Sequence, residues 1–164
     1  DDDDDGGGGG GGGELRADCV SVALEHPPSV VIDAESALAS IPVALTLQSR
    51  LLSEAVVLSV EALGEDAAGQ AVPASAAARR EGVEVHPARA LRWAGQVRYE
   101  GVELRPGAAV TLGFAALALR PGPVNVNRFR VHVQRRSAGR GGAAEKAPRL
   151  HLPRGVQSLV EVRR

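Results

Sequence analysis

The residues that could do chemistry are few and scattered. The four histidines, His26, His86, His132 and His151, lack the His-x-His or His-x-x-x-His spacing that brings two imidazoles to one metal ion. Cys19 is the only cysteine, which excludes an internal disulfide and a cysteine-rich metal site. At the start of a strand pattern it reads as a small buried apolar residue. No Gly-x-Ser-x-Gly nucleophile motif occurs. Two carboxylate pairs, Glu81 with Glu84 and Glu100 with Glu103, could divide acid and base duties. They flank loops beside Arg98 and Arg105, however, which reads as a solvated, charge-balanced rim. The glycine run at 6–13 would cradle phosphate only between a strand and a helix carrying Lys-Ser or Lys-Thr, and neither flanks it. These patterns assign no catalytic residue, cofactor, metal or small-molecule substrate, and the chain reads as non-enzymatic.

Charge offers the one functional lead. From Arg120 to Arg164 there are eleven Arg or Lys against two acids, Glu145 and Glu161; earlier in the chain eight Arg face eighteen acids. Arg128, Arg130 and His132 share one face of a strand pattern, and Arg135, Arg136 and Arg140 lead into the loop that also carries Lys146. A basic face of Arg128, Arg130, Arg135, Arg136 and Arg140 is therefore the candidate interaction site. Acidic protein segments, an anionic membrane surface or a phosphate backbone would be drawn to it. Nucleic acid is the weakest of these, because no aromatic residues interleave with the charges and Arg140-Gly141-Gly142 occurs once. Meeting acidic and basic faces of one domain would account for the same asymmetry. An exposed aromatic platform for carbohydrate is missing, since Phe114, Phe129, Trp93 and Tyr99 all fall at core positions.

The elements that must position these residues are strands. The organising stretch runs from Leu104 to Val133, where Arg105-Pro106-Gly107 and Arg120-Pro121-Gly122 bracket an apolar run. Pro fixes φ for a tight turn and Gly accepts positive φ, so each triplet predicts a reversal, and the unit reads as hairpin-like. Val110, Leu112 and Phe114 alternate with Thr111 and Gly113; Phe129, Val131 and Val133 alternate with Arg130 and His132. Inward parity passes to Leu117 and Leu119, and changes again before Phe129, which predicts bulges near Ala115 and Asn127. Period-two patterns also cover Cys19–Glu25, Ile41–Gln48, Ala55–Leu63 and Leu91–Tyr99, the last with Gly95 as a bulge or close backbone approach. Shorter extended pieces are predicted at Ser29–Asp33, Arg149–Leu152 and Gln157–Val162.

The expected fold is an all-β, immunoglobulin-like antiparallel sandwich of about seven to nine strands, with an open barrel next. One domain over 14–164 has long loops near 64–82 and 137–148, the first able to form a helical turn or two at Ala74–Arg80. Residues 1–13, five Asp and eight Gly, form a low-complexity linker that cannot bury enough apolar area to offset its ordering entropy. The chain opens without Met and reads as a piece of a longer protein. Its longest mainly apolar uncharged run, Gly107–Leu119, falls short of the roughly 18 residues of a spanning helix.

Trp93-Ala94-Gly95, Val102-Glu103-Leu104-Arg105-Pro106-Gly107, Leu119-Arg120-Pro121-Gly122 and Val124-Asn125-Val126-Asn127-Arg128-Phe129 together resemble the C-terminal β-sandwich of a large subunit of the transport protein particle (TRAPP) complexes, the TRAPP III-specific type above all. The similarity covers roughly residues 91 to 134, with Asn-x-Asn-Arg-Phe its most particular piece. It implies a non-enzymatic scaffold domain in a vesicle-tethering assembly of ER-Golgi or autophagy-related trafficking. The implied location is cytoplasmic, peripheral to Golgi or pre-autophagosomal membranes, and the implied partners are other subunits of the complex. The alternatives are an accessory β-sandwich of a larger enzyme, or a basic-face module binding anionic lipid or nucleic acid.

Overall fold

The structure, a computed structural model, describes residues 19–65, 71–74, 91–135, 149–151 and 158–164. Its elements are strands: β1 (Val20–Glu25), β2 (Ser29–Val31), β3 (Ala39–Ser49), β4 (Val56–Glu65), β5 (Ala71–Pro73), β6 (Leu91–Ala94), β7 (Arg98–Leu104), β8 (Ala109–Ala118), β9 (Gly122–Asn125), β10 (Phe129–Arg135), β11 (Arg149–His151) and β12 (Leu159–Arg163). They exceed nine in number because β5 and β9 are added and the expected strand Leu91–Tyr99 is divided between β6 and β7. The first sheet has the order β1-β3-β8-β6 and the second β11-β10-β4, with β7 and β5 following one another along the far edge of β4. A third sheet, β2-β12-β9, holds the one parallel pair among the described strands, β2 with β12; every other pair is antiparallel. The fold is an immunoglobulin-like β-sandwich.

Alternation explains which residues form the core. Ile41, Val43, Leu45 and Leu47 of β3, Val56, Leu58 and Val60 of β4, and Phe129, Val131 and Val133 of β10 are all buried, and the residues between them are not. Val124, Val126, Val160 and Val162 add the inner side of the third sheet to the same cluster. Four aromatic rings bridge the two main sheets. Trp93 of β6 meets Phe129 of β10 at 5.0 Å between centroids, and Tyr99 of β7 meets Phe114 of β8 edge-on at 5.2 Å. Each polar end is satisfied on backbone: Trp93 Nε1 donates to the Leu63 carbonyl at 3.0 Å, and Tyr99 Oη to the Gly113 carbonyl at 2.7 Å.

Several expectations are corrected here. The Leu104–Val133 unit is not a hairpin. The Ala108 amide donates to the Arg105 carbonyl at 3.0 Å across a turn with Pro106 at its second position and Gly107, φ 67°, at its third, which is type II geometry. Tight hairpins use type I′ or II′ turns, whose second position needs positive φ, and proline forbids that. The turn instead carries the chain from β7 in the second sheet to β8 in the first, and Pro121-Gly122 carries it on to β9 in the third. No bulge interrupts β8 near Ala115: its register with β3 is unbroken from Ala109 to Ala118, and Ala116 and Ala118, not Leu117 and Leu119, continue the buried face. Near Asn127 the parity changes because the chain leaves β9 and enters β10 in another sheet. Gly95 is the turn between β6 and β7, so the expected strand Leu91–Tyr99 is two strands in different sheets. The bulge that does occur sets Glu100 and Gly101 against Ser59 between β7 and β4, with Gly101 at φ 66°. The expected loop at 64–82 is shortened at its start, since β4 runs to Glu65 and β5 returns against Leu63–Glu65. Of Ala74–Arg80, only Ala74 is among the described residues, as are none of 1–13 and 137–148.

Candidate interaction surface

β10 is held from behind and from both sides. Its inward residues are wholly or almost wholly buried, while its backbone pairs with β4 over all seven residues and with β11 over three. Outward-facing side chains on such a strand are fixed in direction by the core beneath them. Arg130, His132 and Gln134 take those positions. Of the expected basic residues, Arg130 therefore lies on the strand face with His132, as the pattern implied. Arg128 comes one residue before the strand and helps line a small pocket with Trp93, Leu91, Leu63 and Asn125. Arg135 closes β10 in register with Val56, on the other parity from Arg130. Arg136 and Arg140 lie outside the described residues, as do Lys146, Glu81, Glu84 and His86.

The register decides the electrostatics of this face, because residues directly opposite one another share a side of the sheet. Arg130 lies opposite Glu61 of β4, and Glu61 opposite Arg98 of β7. Arg98 in turn forms a salt bridge with Glu100, both side chains well exposed. The outer face of the second sheet is thus a row of alternating sign rather than a block of positive charge, and the acids come from the part of the chain before Arg120. Acidic and basic halves of the sequence meet on one sheet. Arg130 also keeps its Nε buried with no hydrogen-bond partner among the described residues. A buried donor left without a partner costs of order 1–3 kcal/mol, which a contacting acceptor would recover.

Elsewhere the described residues offer little reactive geometry. They contain no group of three or more His, Cys, Asp and Glu side chains able to hold a metal ion. His26 Nδ1 lies 3.0 Å from the Pro27 carbonyl oxygen, and Cys19 is buried just ahead of β1. The pocket beside Trp93 has a volume of about 110 Å³. That accommodates a few waters or one side chain, well below the several hundred Å³ of a small-molecule site.

What pattern reading missed is the role of the Asn-x-Asn-Arg-Phe piece. Asn125 Oδ1 accepts the Asn127 amide at 3.0 Å and the Ser158 amide at 3.3 Å, and the Val126 amide donates to the Ser158 carbonyl at 2.9 Å. This Asx turn lets the chain cross from the third sheet to the second. The arginine follows the crossing, and the phenylalanine plugs the core under Trp93. An asparagine two residues before an irregular step was the available signal.

No protein-family model and no curated protein matches the sequence. Among solved structures, the chain is similar to a Salmonella alpha-2-macroglobulin reacted with methylamine, at 16% identity and a TM-score of 0.43, and to a point mutant of that protein at 16% and 0.46. In each case 88% of this chain is covered but only 7% of the other, so the chain spans a small fraction of the structures it resembles.

Proposed function

We propose that this chain is a non-enzymatic interaction module, the β-sandwich of a scaffold subunit in a vesicle-tethering assembly of TRAPP type, working at the cytoplasmic side of Golgi or pre-autophagosomal membranes. The observation that carries the interaction reading is the outer face of β10 and its neighbours. Its charged side chains stand on strands locked into the core, so little backbone freedom is lost on docking. Alternating sign along Arg130, Glu61, Arg98 and Glu100 favours a protein surface of mixed charge over an anionic membrane or a nucleic acid, because the acids lower the positive potential those partners need. The trafficking part of the reading is supported by the motif resemblance, whose residues stand at the points where the chain changes sheets.

The test is affinity capture of the full-length parent from its own cells, with partners identified by mass spectrometry, beside a variant carrying Arg128→Glu, Arg130→Glu, Arg135→Glu and Arg136→Glu. Small TRAPP core subunits are expected with the native protein, and recovery is expected to fall by about tenfold or more with the variant. Equal recovery by both proteins would remove these arginines from the reading. Capture of ribosomal proteins alone would remove the trafficking role.

A further inference from the structure

The edges of the sheets are not equally protected. A strand edge presents unpaired amides and carbonyls to any other strand, and proteins blunt it with bulges, charges or proline. β7, a long edge strand of the second sheet, has such protection in the bulge at Gly101 and the charges of Arg98, Glu100 and Glu103. β1 has none between Val20 and Leu24, where its register with β3 is unbroken and its residues read Val, Ser, Val, Ala, Leu. Among the described residues no strand pairs with its other edge. Hydrogen bonds at the start of β1 fix which residues face that edge. The Ser49 amide donates to the Ala108 carbonyl on the β8 side at 2.9 Å, and the Arg50 amide to the Cys19 carbonyl at 2.8 Å, so Cys19, Ser21 and Ala23 direct their backbone groups to β3. Val20, Val22 and Leu24 turn theirs outward. The same residues carry the apolar side of the strand. Leu47 and Leu45, opposite Val22 and Leu24, are fully buried, whereas Val22 and Leu24 pack against the core yet stay only partly buried. They lack a neighbour on the open side.

We infer that β1 is a self-pairing edge, joined antiparallel to β1 of a second copy about a two-fold axis through Val22 and perpendicular to the sheet. The pattern of the strand selects that occupant. This axis sets Val20 of one copy opposite Leu24 of the other and Val22 opposite Val22, and because these residues turn their amides and carbonyls outward, each pair exchanges both hydrogen bonds. Val and Leu then meet on the core side and cover one another, while Ser21 meets Ala23 on the outer side. No like charges are opposed. Glu25, the one charged residue of β1, falls opposite Cys19 of the other copy. His26-Pro27-Pro28 ends each ladder, so the two copies of β2 lie beyond opposite ends of the seam. An isologous contact of this kind closes at the dimer. A strand seam is smaller than a standard interface, so the dimer is expected to be weak and reversible. β1 belongs to the first sheet and β10 to the second, and failure of the inference would leave the proposed function standing.

The experiment is sedimentation of the whole chain from micromolar to millimolar concentration, with amide hydrogen exchange measured at both ends of that range. The mass is expected to rise toward that of a dimer, and the amides of Val20, Val22 and Leu24 to exchange more slowly as it does. Val22→Pro removes a donor that points away from β3, so it spares the β1–β3 ladder and is expected to weaken association by about tenfold or more. Leu24→Lys places a charge in the seam and serves should Val22→Pro fail to fold, as read by circular dichroism; its expected effect is the same. Gln134→Lys, exposed on β10, leaves association unchanged. Monomer mass at every concentration overturns the inference. So does association in which those three amides gain no protection, or that survives in the folded variants. Protection of the three amides in the monomer would show that another part of the chain already covers the edge, and would overturn it equally.

Discussion

At the scale of single residues, the aromatic cluster concentrates the energetics. Phe114 touches all three other rings and is 5% exposed, while Trp93 spans from Phe114 to Phe129 and holds the Leu63 carbonyl. Truncating Phe114 or Trp93 to Ala is expected to cost about 3–5 kcal/mol in denaturant unfolding. Trp93→Phe keeps a ring but leaves the Leu63 carbonyl without its donor, and should cost about 1–3 kcal/mol. The core role of these rings was readable because the chain has only four large aromatics and all fell on apolar parities. That they come from different sheets was not, since periodicity describes a face and not its neighbour. Asp33 gives a pH signature. Hydrogen bonds from the Ser36 side chain, then the Ser36 and Glu35 amides, hold its carboxyl below the ordinary value of 3.8, against a smaller opposing effect of burial. Its contribution is present in full above that value and is lost as pH falls through the lowered one. Thermal melts of Asp33→Asn should therefore match the native protein more closely as acid increases than at neutral pH.

At the scale of elements, the turns decide the topology. A Cβ added at Gly107 would meet nothing within 4 Å, so the cost of Gly107→Ala comes from its φ of 67° alone. That substitution is expected to lower unfolding free energy by about 1–2 kcal/mol. Gly113 is equally uncrowded but has no positive φ, and Gly113→Ala should be neutral or stabilising by up to about 1 kcal/mol. Strand positions and inward residues in β3, β4 and β10 were plain from alternation. The sheet changes were harder to see. Proline at the second position of the Arg105 turn argues against a hairpin, while the larger Leu117 and Leu119 draw the parity away from the buried Ala116 and Ala118. On the candidate site, the arginines were obvious in the sequence, whereas Glu61 and Arg98 as their neighbours emerge only once the strands are in register.

At the scale of the molecule, one core is shared by three sheets. The third sheet supplies Val160 and Val162 from β12 and Val124 from β9, all buried against the same cluster. Removing residues 159–164 would uncover Val124 and Val126 and leave β2 with no partner strand. Loss of cooperative unfolding is the expected outcome, read as a broad, shallow denaturant transition in place of a sigmoid. The parallel pairing of β2 with β12 has a further consequence for how the domain is made. Serine 29 must wait for Glu161, so while the polypeptide is being synthesised the half-built sandwich has no seal along that side. The unfinished core is exposed to chaperones and to other nascent chains until the far end of the domain has left the ribosome.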